Sequence, residues 1–124
     1  ELKRKGGVHS LWFDHAHIAV VGATPSGRLA RHAAVTDVGD GWTVLELNGA
    51  DVRAVLAHLT PLDLRVKYFK TGMSQRSSLM HMQAVISCLG KSRFQVMVFR
   101  SMTQTLLHDL TCAMESVAAR AHLV

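Results

Sequence analysis

Stretches in which side chains alternate between two faces predict the β-strands of this chain. Trp42 to Leu47 and Arg93 to Phe99 follow a period of two and are rich in β-branched and aromatic residues, which is typical of half-buried strands. Less regular apolar runs predict further strands at Leu11 to Val21 (one or two strands), Ala33 to Val38, and Ser77 to about Leu89. The strands therefore fall both before and after the middle of the sequence.

Two segments carry the apolar spacing of helices. The first runs from about Ala50 to Leu59 and stops before Thr60 and Pro61. Its apolar residues recur at i, i+3, i+4 and i+7, which makes one buried stripe of Val52, Val55, Leu56 and Leu59. The second opens at Ser101, where Gln104 completes a capping box, so losing the Ser101 hydroxyl is expected to cost about 1 kcal/mol. Its predicted buried face comprises Leu106, Leu110, Ala113, Met114 and Val117.

The predicted order of elements is β-β-β-α-loop-β-β-α. Hairpins interspersed with helices, without a recurring strand–helix–strand phosphate motif, indicate an α+β fold with a largely antiparallel sheet and two or more helices. Residues 1–10 are polar and contain glycine, so we expect a flexible N-terminus followed by a single domain over residues 11–124. Turn-forming residues cluster at 23–27, 37–41 and 90–92.

Charge and hydropathy narrow the class of partner. The formal net charge is +5, and the basic residues concentrate in two places: Lys3, Arg4 and Lys5, and then Arg65, Lys67, Lys70 and Arg76. The chain has a single tyrosine and few other aromatic residues, too few for a base-stacking platform, so we expect no nucleic acid. No apolar run approaches about 18 residues, and no apolar core follows the first basic residues, so we expect no membrane span and a cytoplasmic location.

No motif for catalysis or metal binding emerges from the sequence. His15 and His17 would share one face of a strand, but no second pair of ligands follows them. Cys88 and Cys112 form no C-x-x-C motif and are predicted to be buried thiols of a reducing compartment. His81 is placed to share a strand with Cys88, without the local signature of a nucleophile. We therefore predict no catalytic, cofactor-binding or metal-binding residue on this chain.

Three stretches together resemble a known family. T-D-V-G-D-G-W-T-V-L-E-L-N-G-A-D-V-R-A-V-L (36–56) resembles the strand–glycine–helix segment of the glycine-cleavage T-protein superfamily. P-L-D-L (61–64) and the ending F-Q-V-M-V-F-R-S-M-T-Q-T-L-L-H-D-L (94–110) resemble the gamma subunit of heterotetrameric sarcosine oxidase. Phe69, Gly72 and Arg76 fall between them in the family's order, and the likeness is colinear over about residues 11–110.

The resemblance implies a small accessory subunit whose fold is like part of the aminomethyltransferase (T-protein) folate-binding fold. In such a complex the alpha subunit carries the NAD and tetrahydrofolate sites, the beta subunit carries the flavins FAD and FMN, and the delta subunit binds zinc. The complex demethylates sarcosine or a related N-methyl amino acid oxidatively and passes the one-carbon unit to tetrahydrofolate. We therefore expect a hetero-oligomer with alpha, beta and delta subunits, and no cofactor on this chain. The family carries a further N-terminal segment that this sequence lacks, so another chain is expected to supply sheet partners.

Two other functions stay open at this point. One is a stand-alone folate-binding one-carbon protein, for which Asp37 and Asp40 are the only acidic candidates toward a pterin ring. The other is a basic RNA-binding module, whose affinity would fall steeply with salt. Neither has a motif of its own in the sequence.

Overall fold

A computed structural model describes residues 2–5 and 8–123 of the chain. Within these residues the chain forms seven strands and two α-helices. In chain order they are β1 (Leu2–Lys5), β2 (Val8–Trp12), β3 (Ile18–Val21), β4 (Trp42–Asn48), α1 (Val52–Ala57), β5 (Ser74–Leu79), β6 (Met82–Gly90), β7 (Arg93–Phe99) and α2 (Thr103–Ala121). All strand pairings in the described part of the chain are antiparallel, which confirms the predicted α+β class.

Residues 42–99 contain a four-stranded sheet with the strand order β4-β7-β6-β5. The two helices cover one face of this sheet. Leu45 and Ile86 both lie opposite Val96, so the apolar residues of three neighbouring strands form one row across the sheet. This row, together with Leu56 of α1 and Leu106 of α2, belongs to the main hydrophobic core. The alternation along β4 and β7 therefore places one apolar face of each strand on the main core, as the sequence pattern predicts.

A second sheet, with the order β1-β2-β3, lies against the opposite face. Leu11 of β2 is fully buried against Val85 and Met97 of the larger sheet. The half-buried side chains around this contact are Phe13, Ala19, Val21 and Trp42. Burial of one leucine side chain stabilises by roughly 2 kcal/mol. The small sheet is thus attached through a few apolar side chains.

β1 and the start of β2 lie in the segment that the sequence predicts to be a flexible N-terminus. Leu2 lies opposite Leu11, and Lys5 lies opposite Val8. Antiparallel pairing satisfies backbone groups whatever the side chains are, so a polar composition does not prevent it. This segment is a strand because it pairs with a neighbouring strand, and composition alone does not reveal that pairing.

The predicted stripe of α1 is confirmed, although the helix is shorter than predicted. Val52, Val55 and Leu56 are buried within it, and Leu59 is buried just beyond its end. The carbonyl of Leu59 accepts a hydrogen bond of 2.6 Å from the backbone N–H of Met80. The segment after α1 is therefore tied to the turn between β5 and β6.

The strand predicted over Ala33 to Val38 is wrong. Residues 33–38 are irregular and lie between short 3₁₀ turns at Leu29–Arg31 and Gly39–Gly41. The side chains of Val35 and Val38 are exposed. β-branched residues favour a strand only where they pack against a neighbouring strand, and no strand of the described residues pairs with this segment.

The single strand predicted from Ser77 to about Leu89 is in fact a hairpin. Leu79 of β5 lies opposite Met82 of β6, and the two residues between them form the turn. Met80 has a φ of 54°, in the left-handed region that tight hairpin turns use. Because neither turn residue is a glycine or an asparagine, turn chemistry does not reveal this hairpin in the sequence.

The buried face of α2 is confirmed with one exception. Leu106, Leu110 and Ala113 are buried, and Val117 packs against the core while half-buried. Met114, predicted to be buried, is exposed. No helix in residues 2–5 and 8–123 has the length and apolar character needed to cross a membrane.

The capping box at Ser101 is wrong, because α2 begins later. Arg100–Met102 form a 3₁₀ turn, and no side chain caps the start of α2 at Met102. Thr103 holds this turn instead, since its hydroxyl donates to the carbonyl of Arg100 at 2.7 Å. The hydroxyl oxygens of Thr103 and Thr43 lie 2.5 Å apart, which joins the helix start to β4.

These contacts move the expected stabilisation of the helix start from Ser101 to Thr103. Thr103→Val is expected to lower the free energy of unfolding by about 1 kcal/mol, because two hydrogen bonds disappear while the shape is kept. Ser101→Ala, on an exposed residue without a capping bond, is expected to change it by less than about 0.5 kcal/mol. Pulse proteolysis of dilute protein across a urea series measures both. Equal losses in the two variants would contradict this account of the helix start.

Candidate functional site

The two histidines considered as metal ligands lie in the loop between β2 and β3. Both are exposed, and His17 Nδ1 donates to Asp14 Oδ1 at 2.7 Å. The backbone N–H of Ala16 also donates to Asp14, and this bond, followed by the His17 contact, lowers the pKa of the Asp14 carboxyl. Across the described residues no three His, Cys, Asp or Glu side chains come close enough to hold a metal ion. The loop is closed by its own hydrogen bonds.

The other titratable candidates are not brought together either. Cys88 is buried on β6, whereas His81 is exposed in the hairpin turn. Cys112, predicted to be buried, is exposed on α2, where its sulfur lies 3.8 Å from His108 Nε2. The prediction failed there because an exposed helix position tolerates a small apolar side chain.

Asp37 and Asp40, the acidic candidates toward a pterin, sit at the 3₁₀ turn before β4. Asp37 Oδ1 accepts a hydrogen bond of 3.0 Å from the backbone N–H of Gly39. Both side chains are exposed. This is the turn-forming use of aspartate, in which the carboxylate closes its own backbone two residues on.

The basic residues of segment 62–76 separate into two environments. The Arg76 guanidinium lies over the ring of Phe13, 4.5 Å from its centroid, and so bridges the two sheets. Arg65 instead pairs with Asp63 at 2.5 Å on the surface. Its guanidinium lowers the pKa of the Asp63 carboxyl below the usual value. The cluster seen in the sequence is therefore not one continuous basic surface.

Among the strand and helix residues whose exposure the structure describes, the most exposed apolar side chains lie on the small sheet. Trp12 and Ile18 are opposite each other in the β2–β3 register and are 50% and 72% exposed. Val20 is exposed on the same face, two residues from Ile18. We call Trp12, Ile18 and Val20 the outer patch. Contiguous exposed apolar surface on a polar rim marks a protein contact site more often than a solvent surface.

The strand that carries two of these residues is also an open edge. β3 pairs with β2, and no other strand of the described residues pairs with it. Its sequence, I-A-V-V, contains no charge or proline. Natural sheets protect such edges with lysine, proline or a covering element, because an unpaired apolar strand recruits another chain. The edge and the outer patch together form a candidate surface for a second polypeptide.

A groove of about 290 Å³ lies between the end of β4, the start of α1 and the last turns of α2. Its walls are mostly apolar, with Val52, Met114 and Val117 among them. Asp51 is the one ionisable residue among the described residues that line it. Cofactor pockets combine an apolar lining with several convergent polar groups. This groove has the apolar lining but not several convergent polar groups.

The sequence does not single out Trp12 and Ile18, which form most of the outer patch, or Arg53 of α1, which donates hydrogen bonds to the carbonyls of Leu64 and Phe69. Leu11 to Val21 is apolar on both strand faces, so alternation does not say which face is buried. The unprotected apolar strand itself is the signal that was available. Arg53 leaves no such signal, because its contacts depend on a loop that is distant in sequence.

Comparison with known proteins shows which family and which solved structure the chain is similar to. The model of the family described as sarcosine oxidase, gamma subunit family, matches residues 26–115, most of the 124 residues. No curated protein sequence matches the chain. One solved structure, the heterotetrameric sarcosine oxidase from Corynebacterium sp. U-96 in complex with pyrrole 2-carboxylate, contains a chain with a similar fold.

The structural likeness covers almost all of this chain but not all of the other. The TM-score is 0.85 at 22% sequence identity, and the match covers 94% of this chain and 64% of that chain. At this identity the likeness shows the fold, and it is consistent with the T-protein-like fold that the sequence suggested. The family match, which extends over most of the sequence, goes further. The chain belongs to the sarcosine oxidase gamma subunit family.

Proposed function

We propose that the chain is an accessory subunit of a heteromeric, flavin-dependent sarcosine oxidase or a related N-methyl amino acid oxidoreductase. Its role is to dock onto larger subunits, while FAD, FMN, NAD, tetrahydrofolate and zinc are held by the alpha, beta and delta subunits. The observation that carries the proposal is the outer patch on the open β3 edge. Such a surface is costly for a free protein and useful in a subunit.

The family supports this assignment and narrows the partner. The similar chain of known structure comes from a heterotetrameric sarcosine oxidase. We infer that the partner on β3 is another subunit of such an assembly, which acts in the cytoplasm. It adds a strand to the edge and covers Trp12 and Ile18 with apolar residues. Passage of a one-carbon unit to tetrahydrofolate is then a property of the assembly.

A charge placed on the edge strand tests the proposal. Ile18→Lys, coexpressed with the flavin-carrying subunits from the same genome, is expected to weaken co-purification by at least about tenfold, because a buried contact is replaced by an unpaired ammonium group. Produced alone, the same variant is expected to stay soluble where the unaltered chain aggregates, since lysine protects an edge strand. Quantitative pull-down and light scattering measure the two effects.

Val38→Lys is the matched control, because Val38 is 58% exposed and lies outside the strands. It is expected to co-purify like the unaltered chain. A monodisperse unaltered chain that does not join the flavin-carrying subunits would overturn the proposed function. Equal losses from the two lysine variants would show that β3 is not the contact.

A further inference from the structure

Residues 61–73, which we call the basic loop, are held in one shape by the body of the protein. Leu64 and Phe69 of the loop are buried in the main core. Arg53 of α1 donates from Nη1 to the carbonyl of Leu64 and, at 3.0 Å, to the carbonyl of Phe69. Gly72 closes the loop with a φ of 91° and donates its N–H to the carbonyl of Cys88 at 2.8 Å. The side chains between these anchors are therefore presented without a large ordering cost on binding.

The side chains presented in this way combine positive charge with an aromatic ring. Arg65, Val66, Lys67, Tyr68 and Lys70 are all exposed. Asp63 neutralises Arg65. Lys67 and Lys70 have no carboxylate within ion-pair distance in residues 2–5 and 8–123. Tyrosine and arginine are among the residue types enriched at the centres of protein interfaces.

A groove of about 480 Å³ runs beside the basic loop, between it and α1. Ala54 and Ala57 of α1 face Leu62 and Val66 of the loop across it, and the rest of its lining comprises Arg53, Asp63, Leu64 and Arg65. The small alanine side chains leave room for an apolar side chain from outside. The loop has cations, and the groove next to them is mainly apolar. A complementary ligand therefore carries negative charge next to one apolar side chain.

The same surface fits nucleic acid poorly. A base would need a free aromatic face, but the Tyr68 ring already carries two cations of its own loop. The Arg65 guanidinium and the Lys67 ammonium lie 4.8 and 5.5 Å from the ring centroid. An acidic peptide needs no stacking face, and it meets Lys67 and Lys70, neither of which pairs with a carboxylate of the described residues.

We propose that the basic loop and its groove bind a short acidic segment of a protein partner, which places one apolar side chain between Val66 and α1. The inference rests on the proposed function only for the identity of that partner, another subunit of the oxidase. Lys67 and Lys70 pair with carboxylates of the segment, and Tyr68 packs against its backbone. This contact is separate from the strand pairing at β3.

Photo-crosslinking in the assembled complex locates the segment. p-Benzoylphenylalanine is placed at Val66 in the full chain, coexpressed with the oxidase subunits, and at Val38 as a control of nearly equal exposure, 59% against 58%. We expect a crosslink from position 66, and none from position 38, to a partner peptide rich in Asp and Glu. Mass spectrometry of the crosslinked peptide identifies the sequence.

Charge reversal supplies the second arm. Lys67→Glu combined with Lys70→Glu is expected to reduce the position-66 crosslink at least about tenfold, because like charges then face each other. Arg28→Glu with Arg31→Glu makes the same change of net charge on exposed residues elsewhere and is expected to leave the crosslink unchanged. Circular dichroism of each variant verifies that the fold is kept.

The outcomes separate this inference from the proposed function. An acidic crosslinked segment in a protein that is no subunit of the oxidase keeps the docking surface and overturns the proposed function. A complex that assembles normally while position 66 gives no crosslink, a non-acidic one, or one that ignores the Lys67 and Lys70 reversal keeps the proposed function and overturns the docking surface. A crosslink to nucleic acid overturns it as well.

Discussion

Phe94→Ala is expected to lower the free energy of unfolding by about 4 kcal/mol, the largest effect of any single substitution considered for this chain. Phe94 is fully buried on β7, with Leu47 and Cys88 opposite it on the two neighbouring strands. Its ring stacks on that of Phe69, with centroids 6.1 Å apart. Strand pairing on both sides prevents the backbone from collapsing into the cavity, so most of the lost packing is not recovered.

Denaturant unfolding measures this loss, in the Ile18→Lys background that is expected to keep the isolated chain soluble. Phe99→Ala, on the same strand, is the matched control, because Phe99 packs on Trp42 at 4.7 Å between centroids but remains half exposed. It is expected to cost less than about half as much, with an unchanged denaturant slope. An equal cost for Phe94 and Phe99 would mean that β7 has its faces reversed.

Arg53→Met is expected to lower the free energy of unfolding by about 3 kcal/mol and to loosen the basic loop before the rest of the protein unfolds. The Arg53 guanidinium donates to the carbonyls of Leu64 and Phe69 and lies over the ring of Phe94, 4.9 Å from its centroid. Methionine fills similar volume but leaves both carbonyls without a donor, and hydrogen bonds from charged groups contribute about 1.5–3 kcal/mol each.

Trypsin reports the local part of this effect. Cleavage after Arg65, Lys67 and Lys70 under native conditions is expected to accelerate in Arg53→Met, because a loop must open before a protease can bind it. Arg53→Lys is expected to recover only part of the protection. One ammonium group cannot replace a planar guanidinium that donates to two carbonyls and lies over an aromatic ring. Arg31→Met, at an exposed position, controls for the lost charge. Unchanged cleavage in Arg53→Met would remove Arg53 as the anchor.

The parts of the fold that follow from local periodicity were predictable. β4 and β7 alternate along the chain, and α1 repeats its apolar residues at helical spacing, so each element carries its own buried face in its sequence. The resulting α+β class and the family resemblance rest on those elements. The register of Leu45 on Val96 then follows from matching two apolar faces.

The remaining features depend on contacts between distant residues. The hairpin at Met80 is stabilised by the pairing of β5 with β6, although neither of its turn residues is a type that predicts a turn. Thr103 replaces Ser101 at the helix start because Thr43 of β4 is within reach of its hydroxyl. The outer patch could not be located because both faces of β3 are apolar, and only the position of the larger sheet decides which one is covered.

The anchoring of the basic loop by Arg53 also links the loop to a third part of the fold. Arg53 Nη2 donates to Cys88 Sγ at 3.5 Å, and Nε donates to the carbonyl of Lys91 at 3.4 Å, so the guanidinium contacts the β6–β7 hairpin as well as the loop. The shape of the loop therefore depends on both α1 and that hairpin being folded. By thermodynamic linkage, a ligand that binds the loop in this shape stabilises both elements as well.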